Sequence, residues 1–481
     1  MSRLLLYEII TRCWLRDLSR RCKSPVHLGN VPDSEFDSWK KIGVTHLWLM
    51  GVWSTGPKSR QAFLNLPDTE TRVRSVLPDW TPEDVAASPY AIASYTVPES
   101  FGGNVGLRSF REALRQRGIK LILDYVPNHL GLDHPWLAEC PELFVQAEQP
   151  APGLFPVEAG RHHHWIAHGK DPYFPSWIDT AQLDLRLEAA QRATIAELRT
   201  IATQCDGVRC DMAMLALSEV FESTWRHLPP RGPKAVTEFW PRAISSVNDE
   251  SFLFIAEAYW DLEPRLLELG FHFAYDKRVT DYIVEQQWNH LSDHLANRGD
   301  ASLRRSVHFL ENHDEPRIAS RLPFEQHNLA AFLISALPGM WLIHDGQLRG
   351  YTAHAPVQLA RLPDEPGVPR IAEMYQRLIE TIRHEGAGHG DARIILTHPI
   401  IAVLWSAAED HHVLALINGQ DTSFHAHIEI PFHSRPGAVW RFDVPLCGPA
   451  GRRAHPTLKD GFLDTMLPPR SFELILLRSA G

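Results

Sequence analysis

The feature that most limits how this chain can fold is a rhythm. Short apolar runs recur along it, and most are separated by stretches with the period of an amphipathic helix. The runs are LLLYEII (4–10), VTHLWLM (44–50), IKLILDYV (119–126), DGVRCD (206–211), SFLFIAE (251–257), FHFAYD (271–276), VHFLENHD (307–314) and GMWLIHDG (339–346). Between them, PDSEFDSWKKIG reads as a helix closed by Gly43. GLRSFREALRQRG puts Leu107, Phe110 and Leu114 on one face before Gly118 stops it. RATIAELRTIATQC and FWPRAISSVNDE lead into the fourth and fifth runs in the same way. Apolar runs alternating with helices predict an α/β fold with a parallel sheet, and eight such units predict a closed (β/α)8 TIM barrel. Several runs are apolar throughout, as strands buried on both faces must be.

Two regions break the rhythm. Residues 130 to about 180 are rich in Pro, His and Trp and too long for an ordinary strand-to-helix loop, so they read as a small inserted domain. After IAEMYQRLIETIRHE (371–385) the pattern turns to short strands. In FHAHIEI, Phe424, Ala426, Ile428 and Ile430 alternate with His425, His427 and Glu429, a strand wet on one face. The expected organisation is a barrel over 1–129 and 181–391, an inserted domain over 130–180, and a C-terminal antiparallel β-sandwich over 392–481.

Composition narrows the function classes. At 481 residues, 44% hydrophobic and 22% charged, the chain has the make-up of a multidomain globular protein. A net charge of −10 without a long basic run argues against nucleic acid as a partner. No stretch of about 20 apolar residues is present, so no membrane-spanning helix is expected. The N-terminal apolar run lacks the length and cleavage site of a signal peptide. Six scattered cysteines suit a reducing compartment, hence the cytoplasm, better than a disulfide framework.

In such a barrel, chemistry takes place at the C-terminal ends of the strands. Acidic groups recur there: Asp124 in the third run, Asp211 after Arg209 in the fourth, Glu257 in the fifth, and Asp314 after His313 in the seventh. Asn128 and His129 follow Asp124. One such residue would pass as a cap or an ion-pair partner; four at matching places point to a site. Two readings follow. A metal centre would commonly bring a His-x-His pair on the first strand, where the chain has Tyr7 and Glu8. Glycoside cleavage with retention needs one ionised carboxylate as nucleophile and one protonated carboxyl as acid, about 5 Å apart. A third carboxylate can hold the acid's proton on by like-charge repulsion.

The segments LDYVPNH, DGVRCD, IAEAYW and FLENHD, in that order and spacing, resemble the four signature regions of the α-amylase superfamily, glycoside hydrolase family 13. QLDL (182–185) resembles a further motif closing that family's inserted domain. The resemblance implies Asp211 as nucleophile, Glu257 as general acid/base and Asp314 as the carboxylate that binds ring hydroxyls. It implies that Arg209 orients Asp211, that His129 and His313 donate hydrogen bonds to the sugar, and that Tyr90 stacks under it. It also places Arg317 near the same subsites and makes Asp124 a structural brace. Tyr259 and Trp260, just past Glu257, are expected to stack on sugar. The implied activity is retaining cleavage of α-glucosidic bonds in α-glucans or maltooligosaccharides, on an oligosaccharide or disaccharide substrate. Transfer to a second sugar instead of water is the near alternative. A non-catalytic sugar-binding relative would have lost carboxylates that this chain keeps.

The chain departs from the family pattern in places. Ser94 stands where many members have Asp, Gln347 where an acidic residue often follows Gly, and Met212-Ala213-Met214-Leu215 where Ala-x-Lys-His is frequent. That last change removes a Lys and a His tied to acceptor subsites and to a calcium ion between barrel and inserted domain. Asn128 remains, and Asp133 and Asp171 are candidates for replacement oxygens, but the expectation is no bound metal and no cofactor. RHHHW (161–165) reads as a solvated loop tract rather than a metal site. RHEGAGHG (383–390) reads as a linker. Trp136, Trp165 and Trp177 are candidates either for sugar subsites or for the core of the inserted domain.

Overall fold

The computed structural model describes residues 3–160, 162–385, 390–408, 411–430, 439–448, 456–459 and 461–480. All eight apolar runs form strands: β1 (Leu4–Ile10), β2 (His46–Met50), β3 (Lys120–Tyr125), β4 (Gly207–Cys210), β5 (Leu253–Ala256), β6 (Phe273–Tyr275), β7 (Ser306–His308) and β8 (Met340–His344). They are parallel and close into a barrel in chain order, with β8 paired to β1. Two-sided burial explains their unbroken apolarity. Leu6, Trp48, Ile122, Ile255, Val307 and Leu342 fill the barrel interior, whereas Leu5, Leu47, Leu121 and Val208 face the surrounding helices.

The helices fall between the strands as the periodicity predicts. Asp33–Ile42 ends in Gly43, whose φ of 84° is a left-handed cap that costs glycine little. Gly103–Arg115 buries Leu107, Phe110 and Leu114. One difference is at the start: β1 runs straight into a helix, Thr11–Cys22, that the apolar pattern did not disclose. Another lies between β2 and β3, where helices Pro57–Leu64 and Thr69–Val76 carry their own apolar cluster of Phe63, Val73 and Leu77 against Ala355 and Leu359.

After β3, His129–Gly131 pairs antiparallel with Thr180–Gln182 and fastens both ends of the excursion together. Within it, Gln146–Ala147, Leu154–Ala159 and His162–Ala167 make a small sheet. The histidine tract is therefore on a strand, not in a loop: His163 and His164 pair with Glu158 and Val157. His164 also hydrogen-bonds Gln146 at 2.9 Å. Arg161 lies outside the described residues, as does 386–389 of the glycine-rich stretch read as a linker.

The C-terminal region has two antiparallel sheets. Ala402, Leu404, Leu414, Leu416, Ile475 and Leu477 of the five-stranded sheet pack against Ala426, Ile428, Leu463 and Leu467 of the three-stranded one. The opposite face of the larger sheet meets the barrel helix Phe324–Ala336, where Phe472 stacks on Phe332 at 4.1 Å and the Trp405 indole donates to Ala336 O at 2.8 Å. Among the described residues no helix is long and apolar enough to cross a membrane.

Candidate active site

The side chains at the C-terminal ends of the strands converge on one cavity of about 460 Å³, whose wall includes Tyr90, His129, Asp211, Glu257, Tyr259 and Asp314. Its organising group is Arg209, an inward-facing residue of β4 that is wholly buried. One guanidinium nitrogen lies 2.6 Å from Asp211 Oδ1 and 3.8 Å from Asp124; another lies 2.8 Å from Glu257 Oε2. A single cation in touch with two carboxylates fixes their spacing and offsets part of the cost of burying them. Around it, Trp48, Tyr90 and Tyr275 each present a ring within 6 Å.

Each carboxyl has a different environment. Burial raises Glu257 to about 7, with the negative charges of Asp211 and Asp314 adding to the effect and Arg209 opposing it. Its Oε1 accepts from the Tyr259 hydroxyl at 2.9 Å, and its Oε2 from the Met212 backbone N–H at 2.6 Å. Burial also pushes Asp211 up while Arg209 pulls it back. Asp314, whose side chain is 45% exposed at the cavity mouth, goes the other way: partial desolvation would raise it, but the His313 imidazolium at 3.0 Å holds it below the usual carboxylate range.

His313 in turn depends on a residue the sequence reading did not connect with it. Glu8, on the inward face of β1 and wholly buried, accepts from His313 Nδ1 at 2.5 Å and from His344 Nδ1 at 2.9 Å. Asp314 and Glu8 together keep His313 protonated despite its burial. Its Nε2 is shared between Asp314 and the Tyr90 hydroxyl at 2.7 Å, and the Tyr90 ring stacks on it at 5.4 Å. Both ring nitrogens are thus engaged by protein, so His313 anchors Asp314 and Tyr90. The only hint in the sequence was a carboxylate following Leu4 and Leu6 at the next alternate position, on the same strand face.

His129 lines the cavity in neutral form, because burial lowers it to about 3. The Asn128 amide is oriented by Gln182, which donates to Asn128 Oδ1 at 2.9 Å, so that Asn128 Nδ2 meets His129 Nδ1 at 3.3 Å. That leaves the other ring nitrogen of His129 as the donor toward the cavity.

The remaining expectations divide. Asp124 sits behind the wall, held by the Trp48 indole at 3.1 Å and the Gly51 N–H at 3.0 Å, as a brace would be. Gly51 itself has φ of 70°, and a Cβ there would come within 2.5 Å of Pro89. Arg317 does not reach the cavity. It is buried, donating to Glu311 at 2.7 Å and to Asp345 O at 2.8 Å, and it ties the loop after β7 to that after β8. β7 is also shorter than the sequence suggested; it ends at His308, and His313 and Asp314 ride on the loop beyond it. Asn312 Oδ1 shapes that loop by accepting the N–H of Asp314 and Glu315. Tyr259 bonds the Glu257 carboxyl, whereas Trp260 stands outside the lining, its ring 4.9 Å from Tyr173. Of the three candidate tryptophans only Trp177 lines the cavity. Phe63 and Arg72, from the helices between β2 and β3, and Leu66, from the turn joining those helices, line it too and carried no signal in the sequence.

The backbone is strained close to this chemistry. Met212 has φ of 42°, and Trp260 and Asp261 have φ of 64° and 61°. Non-glycine residues in that region cost roughly 1–3 kcal/mol each and persist where the surroundings enforce them. Here they aim the Met212 N–H and the Tyr259 hydroxyl at Glu257.

A calcium ion of the kind the family resemblance implies does not fit these residues. Asn128 is committed to Gln182 and His129. Asp133 caps helix Pro57–Leu64 through the Lys58 and Ser59 N–H groups, and Asp171 Oδ1 accepts from Tyr173 and Phe174. Among the described residues, no group of three or more His, Cys, Asp or Glu side chains is arranged to hold a metal.

Comparison with known proteins agrees with this geometry. The alpha amylase catalytic domain model matches residues 34–171. Trehalose-6-phosphate hydrolase of Escherichia coli is 25% identical over 312 residues, covering 55% of this chain and 55% of that protein. The alpha-amylase MalA of Haloarcula japonica is 23% identical over 53% of this chain and 35% of its own length. The chain thus spans about half or less of the length of these curated relatives. Among solved structures, the Geobacillus thermoleovorans alpha-amylase complexed with acarbose superposes with a TM-score of 0.66 at 17% identity, over 99% of both chains. Bacillus licheniformis trehalose-6-phosphate hydrolase does so at 0.64 and 15%, again over 99% of each.

Proposed function

For a chain that belongs to the α-amylase superfamily, we propose retaining hydrolysis of α-glucosidic bonds in oligosaccharides or disaccharides. The observation that carries this reading is the single guanidinium of Arg209 in contact with both Asp211 and Glu257, beside Asp314 in one cavity. Retention calls for two such carboxyls about 5 Å apart, one as nucleophile and one as acid, and a shared guanidinium supports an arrangement of that kind.

Asp211, paired with the cation, attacks the anomeric carbon. Glu257, raised to about 7, carries a proton at neutral pH and gives it to the leaving oxygen. It then takes a proton from the incoming water, which cleaves the glycosyl–Asp211 ester with a second inversion. Asp314, held ionised by His313, binds sugar hydroxyls and stabilises positive charge at the ring. Tyr90 offers its face to that sugar, and neutral His129 donates a hydrogen bond. Arg317 supports the loop from behind.

The relatives named amylase and trehalose-6-phosphate hydrolase support an α-glucoside as the substrate. Six cysteines, none bridged to another, support a reducing, cytoplasmic setting. The test is proton NMR of the first product formed from maltooligosaccharides, sucrose and trehalose. An α-anomer is expected; a β-anomer overturns the assignment of Asp211. A product longer than the donor would identify a sugar rather than water as the acceptor.

A further inference from the structure

A second cavity, of about 790 Å³, lies outside the barrel over the seam between β1 and β8. It is larger than the catalytic cavity and shares no lining residue with it. The space opens where the chain after β8 delays its helix: residues 351–368 run without one, and only then does Pro369–Glu385 begin. Tyr7 and Ile9, the outward side chains of β1, line the cavity together with helices Thr11–Cys22 and Asp33–Ile42. Tyr7 and Asp345 of this lining adjoin Glu8 and His344 in the chain, whose side chains pair on the inner face of the strands. The two cavities are therefore separated by the barrel wall.

Two features of the lining point to its ligand. The first is charge. Five arginines edge the cavity, and each already holds a carboxylate: Arg16 Asp84 at 3.1 Å, Arg20 Asp364 at 2.7 Å, Arg21 Asp17 at 2.9 Å, Arg349 Asp345 at 3.4 Å and Arg361 Asp84 at 2.8 Å. Asp17, Glu35, Asp345, Asp364 and Glu365 stand in the same lining, so the formal charges cancel. An anion would have to displace a carboxylate from any guanidinium it approached. A neutral rim that offers both donors and acceptors complements a neutral, hydroxyl-rich molecule.

The second feature is aromatic surface. Trp14, Trp39 and Tyr351 join Tyr7 in the lining, and such rings suit the apolar C–H faces of a sugar. The Tyr7 hydroxyl donates to Asp345 at 2.7 Å and the Trp14 indole to Glu35 at 3.3 Å. Trp39 is only 4% exposed, yet its indole N–H has no partner among the described residues and is not sealed from solvent. It is a donor left over for a ligand. The volume also lies in the range of small-molecule sites.

We propose that this cavity is a second carbohydrate-binding site, which holds a short neutral saccharide apart from the one being cleaved. The inference goes beyond the hydrolase reading and stands without it, because the ligand class follows from this lining alone.

The test is equilibrium dialysis of the Asp211→Asn protein against labelled maltotriose and, separately, labelled trehalose. Two molecules bound per chain at saturation are expected for at least one of these sugars. Ser38→Trp, at an exposed position on the rim, fills the cavity without disturbing the core, and Tyr351→Ala removes a ring from it. Added to Asp211→Asn, each should abolish one of the two molecules, with circular dichroism confirming the fold. In the parent background each should leave kcat/KM on maltotriose within twofold. A stoichiometry that neither variant changes overturns the proposal. Inorganic phosphate that binds in a Ser38→Trp-sensitive manner, while neither sugar does, overturns the ligand class. A single bound sugar that both variants abolish supports this site and counts against the catalytic cavity as a sugar site, so the two readings fail separately.

Discussion

Glu257→Gln tests whether the site carries the electrostatic cost that acid catalysis demands. Burial moves this carboxyl from the ordinary value of 4.5 to about 7. Between those pH values the folded protein keeps a proton that the unfolded chain releases. The associated stability is therefore fully present below about pH 4.5 and is lost as pH rises through about 7. A displacement of that size is worth about 3 kcal/mol at ~1.4 kcal/mol per pH unit. Because the proton is shared in effect with Asp211, about 1–3 kcal/mol is the range to test. Glutamine keeps an oxygen to accept the Met212 N–H and never ionises. The variant should be more stable than the parent at pH 8 by that amount, and the advantage should vanish at pH 4.5. Denaturant unfolding at the two pH values measures it.

Activity should move the opposite way. On maltooligosaccharides Glu257→Gln should lose about 10²–10⁴ in kcat/KM, the usual worth of a positioned acid. On α-glucosyl fluoride, whose leaving group needs no proton, the loss should be much smaller. In the parent enzyme kcat/KM should fall on an alkaline limb near pH 7. A variant no more stable than the parent at pH 8, or a parent profile flat from pH 6 to 9, would refute this account of Glu257.

The other expectations are shorter. Asp211→Asn should stay folded yet lose several orders of magnitude in turnover, because an amide cannot serve as the nucleophile; steady-state kinetics and circular dichroism together check this. Glu8→Gln breaks the buried pairing with His313 and His344. It should cost about 3–5 kcal/mol of stability and reduce kcat/KM, read by unfolding and by kinetics. Arg317→Met leaves Glu311 buried without its cation and should cost a similar ~3–5 kcal/mol, while KM of the folded fraction stays within twofold if Arg317 contacts no sugar. Dialysis against a chelator should leave both the melting temperature and the activity unchanged; a fall reversed by added calcium would reveal a site that Asn128, Asp133 and Asp171 do not make.

The barrel was legible because two-sided burial leaves a local mark. A strand such as LWLM must be apolar at successive positions, and the helices between strands must repeat every 3.6 residues, whatever the rest of the chain does. The carboxylates were legible for a related reason, since each stops an apolar run. Contacts between distant segments leave no such mark. Glu8 and His313 are 305 positions apart, and neither residue's neighbours reveal the other. Phe63 and Arg72 belong to helices whose pattern fits any surface helix, and Leu66 to the turn between them. Arg317 was misplaced because adjacency to His313 in sequence says nothing of direction: the chain turns into a helix at Ile318, and the guanidinium points at Glu311.

That last point bears on how three carboxyls of one chemical type take different roles. Asp211, Glu257 and Asp314 all lie within reach of Arg209 or His313; the first two are buried enough that ionisation is costly, whereas the Asp314 side chain is 45% exposed. What separates them is the pairing of each with a cation. Asp314 pairs with His313 at 3.0 Å, and His313 is kept in its charged form by Asp314 and by Glu8 on the opposite side. Asp211 and Glu257 divide one guanidinium between them, so the proton favoured by burial settles on the carboxyl that Arg209 stabilises less. The shorter contact is to Asp211, which leaves Glu257 as the proton carrier. Glu8 thus governs the site from the far side of His313. Loss of its charge removes a buried negative charge that raises Asp314, while Asp314 still keeps His313 protonated, so the field at the site becomes more positive and Glu257 holds its proton less tightly. The alkaline limb of Glu8→Gln should therefore lie below that of the parent, whereas a purely structural defect would lower the whole profile without moving it.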